Sequence, residues 1–183
     1  AIHTAMPRPP KITNPKFKLG AAKVTQFPDW PRLEIAFGGR SNVGKSSLLR
    51  TIVGSRRLVR VSRTPGRTQE VNFFSLELDG EPCAFVDLPG YGYAKVPGRL
   101  KALWGRTVEQ YVQERDLLVG FVLLLDARRD PGDEERALLE VLEARNCPCQ
   151  AVYTKTDKLP KTKLKSILLK HHRALGLRGA PVG

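Results

Sequence analysis

The chain has 183 residues, 41% of them hydrophobic, which suits one domain with a full-sized core. Its net charge of +13, from 31 Lys and Arg against 18 Asp and Glu, favours a polyanionic partner, nucleic acid before a membrane surface. No apolar stretch approaches the roughly 20 residues that span a bilayer, the opening lacks the apolar region of a secretory signal, and the odd number of cysteines points to a reducing, cytoplasmic compartment.

The opening, Ala1 to Pro10, is proline-rich and basic and reads as a mobile arm, and residues 1–26 are expected to form a basic, proline-rich N-terminal extension to a domain over 27–183. The apolar run Leu33 to Phe37 predicts the first strand. It leads into Gly39-Arg40-Ser41-Asn42-Val43-Gly44-Lys45-Ser46, the Gly-x4-Gly-Lys-Ser spacing of a phosphate-binding loop, and then into a predicted helix over Lys45–Val53. The glycines let the backbone turn with positive φ, several N–H groups converge, and the helix N-terminus adds partial positive charge. Lys45 can reach β- and γ-phosphates, and the Ser46 hydroxyl can ligate Mg²⁺. The chain is therefore expected to bind a nucleoside phosphate.

Gly54 to Val71 reads as a long basic loop carrying Arg56, Arg57, Arg60, Arg63 and Arg67, with Thr64-Pro65-Gly66 as a turn signal. Asn72 to Leu78 and Cys83 to Asp87, joined through Asp79-Gly80, predict an antiparallel hairpin. A helix over Arg99–Glu114 is expected to turn Leu100, Leu103, Trp104, Val108 and Tyr111 inward. Leu117–Asp126 is almost wholly apolar, as a strand buried on both faces should be. Helix Asp133–Arg145, strand Gln150–Tyr153 and helix Pro160–Leu175 follow; the last sets Leu164, Ile167, Leu168, His171 and Leu175 on one face, so His171 reads as a packed side chain. Cys147 and Cys149 lack a second Cys/His pair at zinc-like spacing and read as core thiols. Residues 155–178 carry eight Lys/Arg against Asp157 alone, a second basic cluster. A last strand is expected to begin at Ala180-Pro181-Val182-Gly183, its continuation and covering helix absent. The alternation predicts an α/β fold with a doubly wound, mostly parallel sheet and one antiparallel strand.

Three further segments bear on the base and the metal. Asp87-Leu88-Pro89-Gly90 follows a strand, where a carboxylate can hold Mg²⁺ through water and a glycine amide can meet a γ-phosphate. Thr64-Pro65-Gly66-Arg67-Thr68 lies in the intervening loop, where a threonine hydroxyl can complete the metal shell. Thr154-Lys155-Thr156-Asp157 ends a strand, where a carboxylate can accept two hydrogen bonds from the guanine edge; adenine would leave that charged acceptor unpaired at a cost of about 1–3 kcal/mol or more.

With Glu34 to Phe37 ahead of the phosphate loop, Thr64 to Gln69 with Asn72-Phe73-Phe74, Val86 to Ala94 with Tyr91-Gly92-Tyr93, and Leu125 to Arg129, the chain resembles the translation-factor-related GTPases, more narrowly the EngB/YihA (YsxC) type. The resemblance runs from about Phe27 to Leu175. It implies a Ras-like G domain, GTP/GDP as ligand, GTP hydrolysis with Mg²⁺, a cytosolic setting, and association with the large ribosomal subunit and its rRNA during assembly. It implies phosphate contacts from Gly39, Asn42, Gly44, Lys45, Ser46 and Ser47, metal contacts from Ser46, Thr68 and Asp87, γ-phosphate sensing by Gly90, and guanine contacts from Lys155 and Asp157. Thr64 competes with Thr68 for the threonine role. Thr154 stands where GTPases in general carry asparagine, and the loop that meets the guanine carbonyl has no counterpart before Gly183. Tyr91 stands where many GTPases carry a water-orienting glutamine, so hydrolysis is expected to be slow alone. Asn42 is a candidate K⁺ ligand in place of an arginine finger. The alternatives are a guanine-nucleotide-dependent RNA-binding module with negligible hydrolysis, and a nucleotide kinase, for which the sequence offers no acceptor site or lid. A monomer with no membrane partner is expected.

Overall fold

A computed structural model describes residues 8–54, 70–92, 105–178 and 181–183. Its strands are β1 (Ile12–Ala21), β2 (Leu33–Gly39), β3 (Val71–Leu78), β4 (Glu81–Asp87), β5 (Leu118–Asp126) and β6 (Cys149–Thr154), and its helices α1 (Lys45–Val53), α2 (Arg106–Glu114), α3 (Asp133–Ala144) and α4 (Lys161–Ala174). The strands form one sheet in the order β1-β3-β4-β2-β5-β6. β2 pairs in parallel with β4 and β5, and β5 with β6, while β3 runs against both of its neighbours. The expected mostly parallel sheet with one antiparallel strand is what the chain forms. The β3–β4 hairpin turns through Asp79 (φ 50°) and Gly80 (φ 90°), both left-handed as a two-residue primed turn requires.

The N-terminal segment departs from expectation. Residues 12–21, expected within an extension ahead of the domain, form β1, the edge strand antiparallel to β3. Asn14 and Pro15, which argue against a strand, sit at one of two register shifts, where pairing is interrupted and proline is tolerated. The second shift, between Phe17 and Leu19, sends these two residues into opposite cores: Phe17 packs edge-on against Phe74 at 5.5 Å, and Leu19 joins the cluster on the other face. Lys16 and Lys18 stay exposed along this strand, and lysine on an edge discourages pairing with another chain.

The sheet is covered on both faces. Leu49 and Val53 of α1 pack on Phe37, Phe74, Phe85 and Leu124. On the opposite face lie Val108, Tyr111 and Val112 of α2, Leu138 and Leu142 of α3, and Leu168 of α4. The predicted inward positions of α2 hold for Val108 and Tyr111, whereas Leu100, Leu103 and Trp104 lie outside the described residues. His171 is buried, as its place in the α4 stripe predicts. Cys147 and Cys149 belong to the core, where burial pushes the Cys149 thiol up to about 12. Val182 bridges to Val152 of β6, where a last strand was expected to begin. No helix among the described residues is long and apolar enough to cross a membrane.

The N-terminal end of β2 carries a fully buried carboxylate, Glu34. Trp30 Nε1 and Tyr111 Oη each donate to it at 2.9 Å, and Arg115 donates through Nη2 at 2.6 Å and Nε at 3.1 Å. Arg115 Nη2 also donates to the Pro28 carbonyl at 2.7 Å, so this one cluster ties the segment ahead of β2 to α2. Burial, and then the Glu34 charge, hold the Tyr111 hydroxyl well above its usual pKa, as a neutral donor.

Candidate functional site

The C-terminal end of β2 is built the other way. Gly44, at the N-cap of α1, has φ 106°, a conformation costly for any side chain, and Asn42 is left-handed at φ 62°. Together they fold residues 39–46 into a cradle whose rim is the helix N-terminus. A cavity of about 390 Å³ opens there, lined by residues 40–47, Arg50 and Gly90. The structure thus brings residues 40–46 of the predicted phosphate loop around one cavity, together with Ser47, whereas Gly39 ends β2 and does not line it.

Beyond Asp87 the chain stays beside this loop instead of leaving it. Leu88 N donates to Phe37 O at 3.0 Å, Tyr91 N to Gly39 O at 3.2 Å, and Ser41 N to Tyr91 O at 2.8 Å, which prolongs the β2–β4 pairing. Gly90 lies so close that a Cβ would stand 2.8 Å from Ser41 Cα, and its carbonyl accepts from Ser41 Oγ at 3.2 Å. Only glycine fits there. Leu88, a predicted ligand contact, is fully buried in the core and offers the cavity no side chain. Tyr91 is buried as well, its hydroxyl donating to Glu135 Oε1 at 2.9 Å. Burial and then the Glu135 charge hold that hydroxyl neutral, well above its usual pKa.

Two polar features stand out where α1 begins. Lys45 Nζ and Asp87 Oδ1 form an ion pair, both side chains nearly buried. Ser46 Oγ is shut from solvent and has no partner among the described residues. An orphaned hydroxyl, following in the chain the lysine that pairs with Asp87, offers with that carboxylate the oxygen ligands a hard divalent cation takes. Thr64, Pro65, Gly66, Arg67 and Thr68, with the arginines of the same loop, lie outside the described residues.

The segment after β6 is braced against the cradle. Thr154 Oγ1 lies 2.6 Å from Val43 O and 3.2 Å from Leu125 O, so a hydroxyl holds the phosphate loop at the position where asparagine is common. Lys155, left-handed at φ 59°, sends Nζ across to Asn42 O at 2.7 Å and to Asp126 Oδ2 at 3.0 Å. Arg128 binds the same carboxylate through two guanidinium bonds and its backbone N–H, and these hydrogen bonds, those of the Arg128 side chain first, hold Asp126 well below the usual carboxylate range. Asp157 sits in the short turn Thr156–Lys158 with its side chain 69% exposed, beside Lys158 Nζ at 3.2 Å. It does not line the cavity, but it projects from the segment that Thr154 and Lys155 fasten to it.

A profile of the family described as 50S ribosome-binding GTPase matches residues 34–155. A probable GTP-binding protein EngB from Syntrophotalea carbinolica is 46% identical over 91% of this chain and 79% of its own length. Another from Geobacter sulfurreducens is 45% identical over the same shares, 91% and 79%. The chain belongs to the EngB family of GTP-binding proteins.

More distant structures agree on the fold. The G domain of the T. maritima FeoB iron transporter aligns at TM-score 0.53 and 23% identity, covering 82% of this chain and 85% of its own. A bacterial selenocysteine-specific elongation factor, EF-Sec, aligns at TM-score 0.56 and 17% identity, over 84% of this chain and 25% of its own. This EngB-family chain is thus a GTPase with a Ras-like G-domain fold. Two of its site features escaped the sequence reading. Arg50 lines the cavity, and the four-residue step from Ser46, one helical turn, was a signal that could have found it. The Tyr91–Glu135 contact joins residues 44 apart and left no local signal.

Proposed function

We propose that this chain is a GTP-hydrolysing switch that assists assembly of the large ribosomal subunit through rRNA contact, with the cradle at the end of β2 as its nucleotide site. The observation that carries the nucleotide reading is the buried Ser46 hydroxyl, without a partner among the described residues, next in the chain to the Lys45 that pairs with Asp87. Ser46 and Asp87 would hold Mg²⁺, with Thr68 as the further ligand implied by resemblance. When bound, Mg²⁺ neutralises charge on the β- and γ-phosphate oxygens. Lys45 exchanges its carboxylate partner for phosphate, so ligand entry replaces one ion pair by another. The backbone N–H groups of the loop and the N-terminus of α1 orient the phosphate chain. Asp157 accepts from the guanine edge, held in place by Thr154 and Lys155.

The buried Tyr91 supports slow intrinsic hydrolysis, because it can neither reach nor orient a water in the cavity. Asn42 lines the cavity, and no described residue bonds its side-chain amide, which supports a K⁺ ligand there. The ribosomal partner is supported by the net charge of +13 and by exposed Lys161, Lys163 and Lys165 along α4. The Tyr91 geometry also favours a second reading, an RNA-binding module whose nucleotide is hardly turned over.

The test is binding and turnover with the purified chain. GTP should bind over ATP and depend on Mg²⁺, and Asp157→Asn should weaken GTP while gaining xanthosine triphosphate; equal ATP binding, or an Asn variant with unchanged GTP affinity, would overturn the base assignment. Turnover should rise with large-subunit particles and in KCl over NaCl at matched ionic strength. Particle binding that tracks GTP with no turnover in either salt would select the second reading.

A further inference from the structure

Among the described residues, three cationic side chains line the cavity: Arg40, Lys45 and Arg50. Two are already neutralised. Arg40 pairs with Glu134, with Glu135 at 4.0 Å, and Lys45 pairs with Asp87. Arg50 has no carboxylate partner among the described residues, and its Nε is shut from solvent with no acceptor. The described lining itself, residues 40–47, Arg50 and Gly90, contains no acidic side chain that could serve.

The position of Arg50 on α1 explains how it reaches the cavity. It follows Ser46 by four residues, so the two share a helix face. Long side chains on a helix lean toward its N-terminus, which carries the guanidinium back over Ser46 and Ser47 toward the cradle. A buried donor without an acceptor is unfavourable, and an arriving anion relieves that cost. The planar fork of arginine presents paired donors in the geometry that phosphate oxygens accept.

We propose that Arg50 is a phosphate-binding residue of this chain, its guanidinium donating to a phosphate oxygen of the bound guanine nucleotide as a second cation beside Lys45. The proposal rests on reading the cavity as the GTP site. It sets Arg50 apart from Arg40, which lines the same cavity but is bound to α3 through Glu134.

The experiment compares wild type, Arg50→Gln and Arg50→Lys by titration with GDP, ADP and inorganic pyrophosphate without Mg²⁺, and by nucleotide-free thermal unfolding. Arg50→Gln is expected to weaken GDP and pyrophosphate about 10- to 100-fold, the worth of a charge-assisted hydrogen bond, with Arg50→Lys recovering part. The nucleotide-free Tm should hold, because Arg50 Nε makes no hydrogen bond among the described residues that the substitution could break. Wild-type affinities in Arg50→Gln would overturn the proposal. So would a nucleotide-free Tm lowered by more than about 5 °C, which would place Arg50 in the chain's own packing. A wild type that binds ADP as well as GDP would sink the guanine reading instead, and the pyrophosphate arm would still decide the role of Arg50.

Discussion

Strand β2 ends in charged chemistry at both termini, and the two ends are finished differently. At its start, Glu34 is fully buried and takes donors from Trp30, Tyr111 and Arg115. At its finish, the Ser46 hydroxyl and the Arg50 Nε are buried with no partner among the described residues, and the Lys45 and Asp87 side chains pair with each other. Burial of polar groups is similarly expensive in both places. Internal bonds offset it at the first end, whereas the second leaves donors and acceptors for something that enters from outside. What sets the second end apart is that its unsatisfied groups line a cavity a ligand can enter, whereas Asn72 Oδ1, Arg145 Nε and His171 Nδ1, also without a partner among the described residues, lie outside it.

The largest expected effect tests the filled end. Glu34→Ala leaves a guanidinium, an indole N–H and a phenol without their acceptor, and removal of one partner of a buried pair costs about 3–5 kcal/mol. Urea unfolding should show that loss, while GDP affinity measured under folding conditions stays at the wild-type value. A cost below about 1 kcal/mol would mean that the cluster is not the brace described here.

How far each end was legible follows from the range of its interactions. The phosphate loop is a local device, and its residues could be assigned from spacing because a strand, a turn and a helix N-terminus are adjacent in the chain. The Glu34 carboxylate takes a donor from 81 residues away, and nothing near Glu34 announces Arg115. The same holds for β1, whose alternation is broken by Asn14 and Pro15 and becomes intelligible only beside β3. Arg50 was a local miss: the helix was predicted with its bounds, but its faces were not followed one turn past Ser46.

A middle-sized effect belongs to the brace between the two loops of the site. Thr154→Val keeps the shape but removes the hydroxyl that reaches Val43 O at 2.6 Å. The expected loss is about 1–2 kcal/mol of stability, from one hydrogen bond and an acceptor left bare. Because the same contact fastens the Asp157 segment to the cradle, GDP affinity should fall as well. If affinity holds while stability drops, the segment is positioned by Lys155 alone.

Ser46→Ala sets the two ends directly against each other. Removing a polar atom from the filled end destabilises, but removing this one deletes a hydroxyl that nothing among the described residues satisfies. The nucleotide-free protein should therefore be unchanged or up to about 1 kcal/mol more stable, while the Mg²⁺ dependence of GTP binding disappears. A destabilised Ser46→Ala protein would show that the hydroxyl has an internal partner, and the open end would be less open than the comparison holds.

The smallest effect concerns Asp126, which lies at the open end yet is filled, by Arg128 and Lys155. Its folded pKa is lowered, so its contribution to stability is fully present above the ordinary carboxylate value near about 3.9 and is lost as pH falls toward the folded value. Wild type should therefore lose more stability than Asp126→Asn as the pH drops below about 4, and the two unfolding curves should draw together progressively, meeting only when the folded carboxyl is itself protonated. The Arg128 side chain is 44% exposed, so salt screens this pair, and the gap at neutral pH should narrow in high salt. Convergence in acid with a salt-sensitive gap would mean that the open end is open only where a ligand enters, and that Asp126 serves to hold Lys155 across the phosphate loop. Parallel acid limbs for the two proteins would instead show that this carboxylate gains nothing from its two cations in solution, and that Lys155 is held by the Asn42 carbonyl.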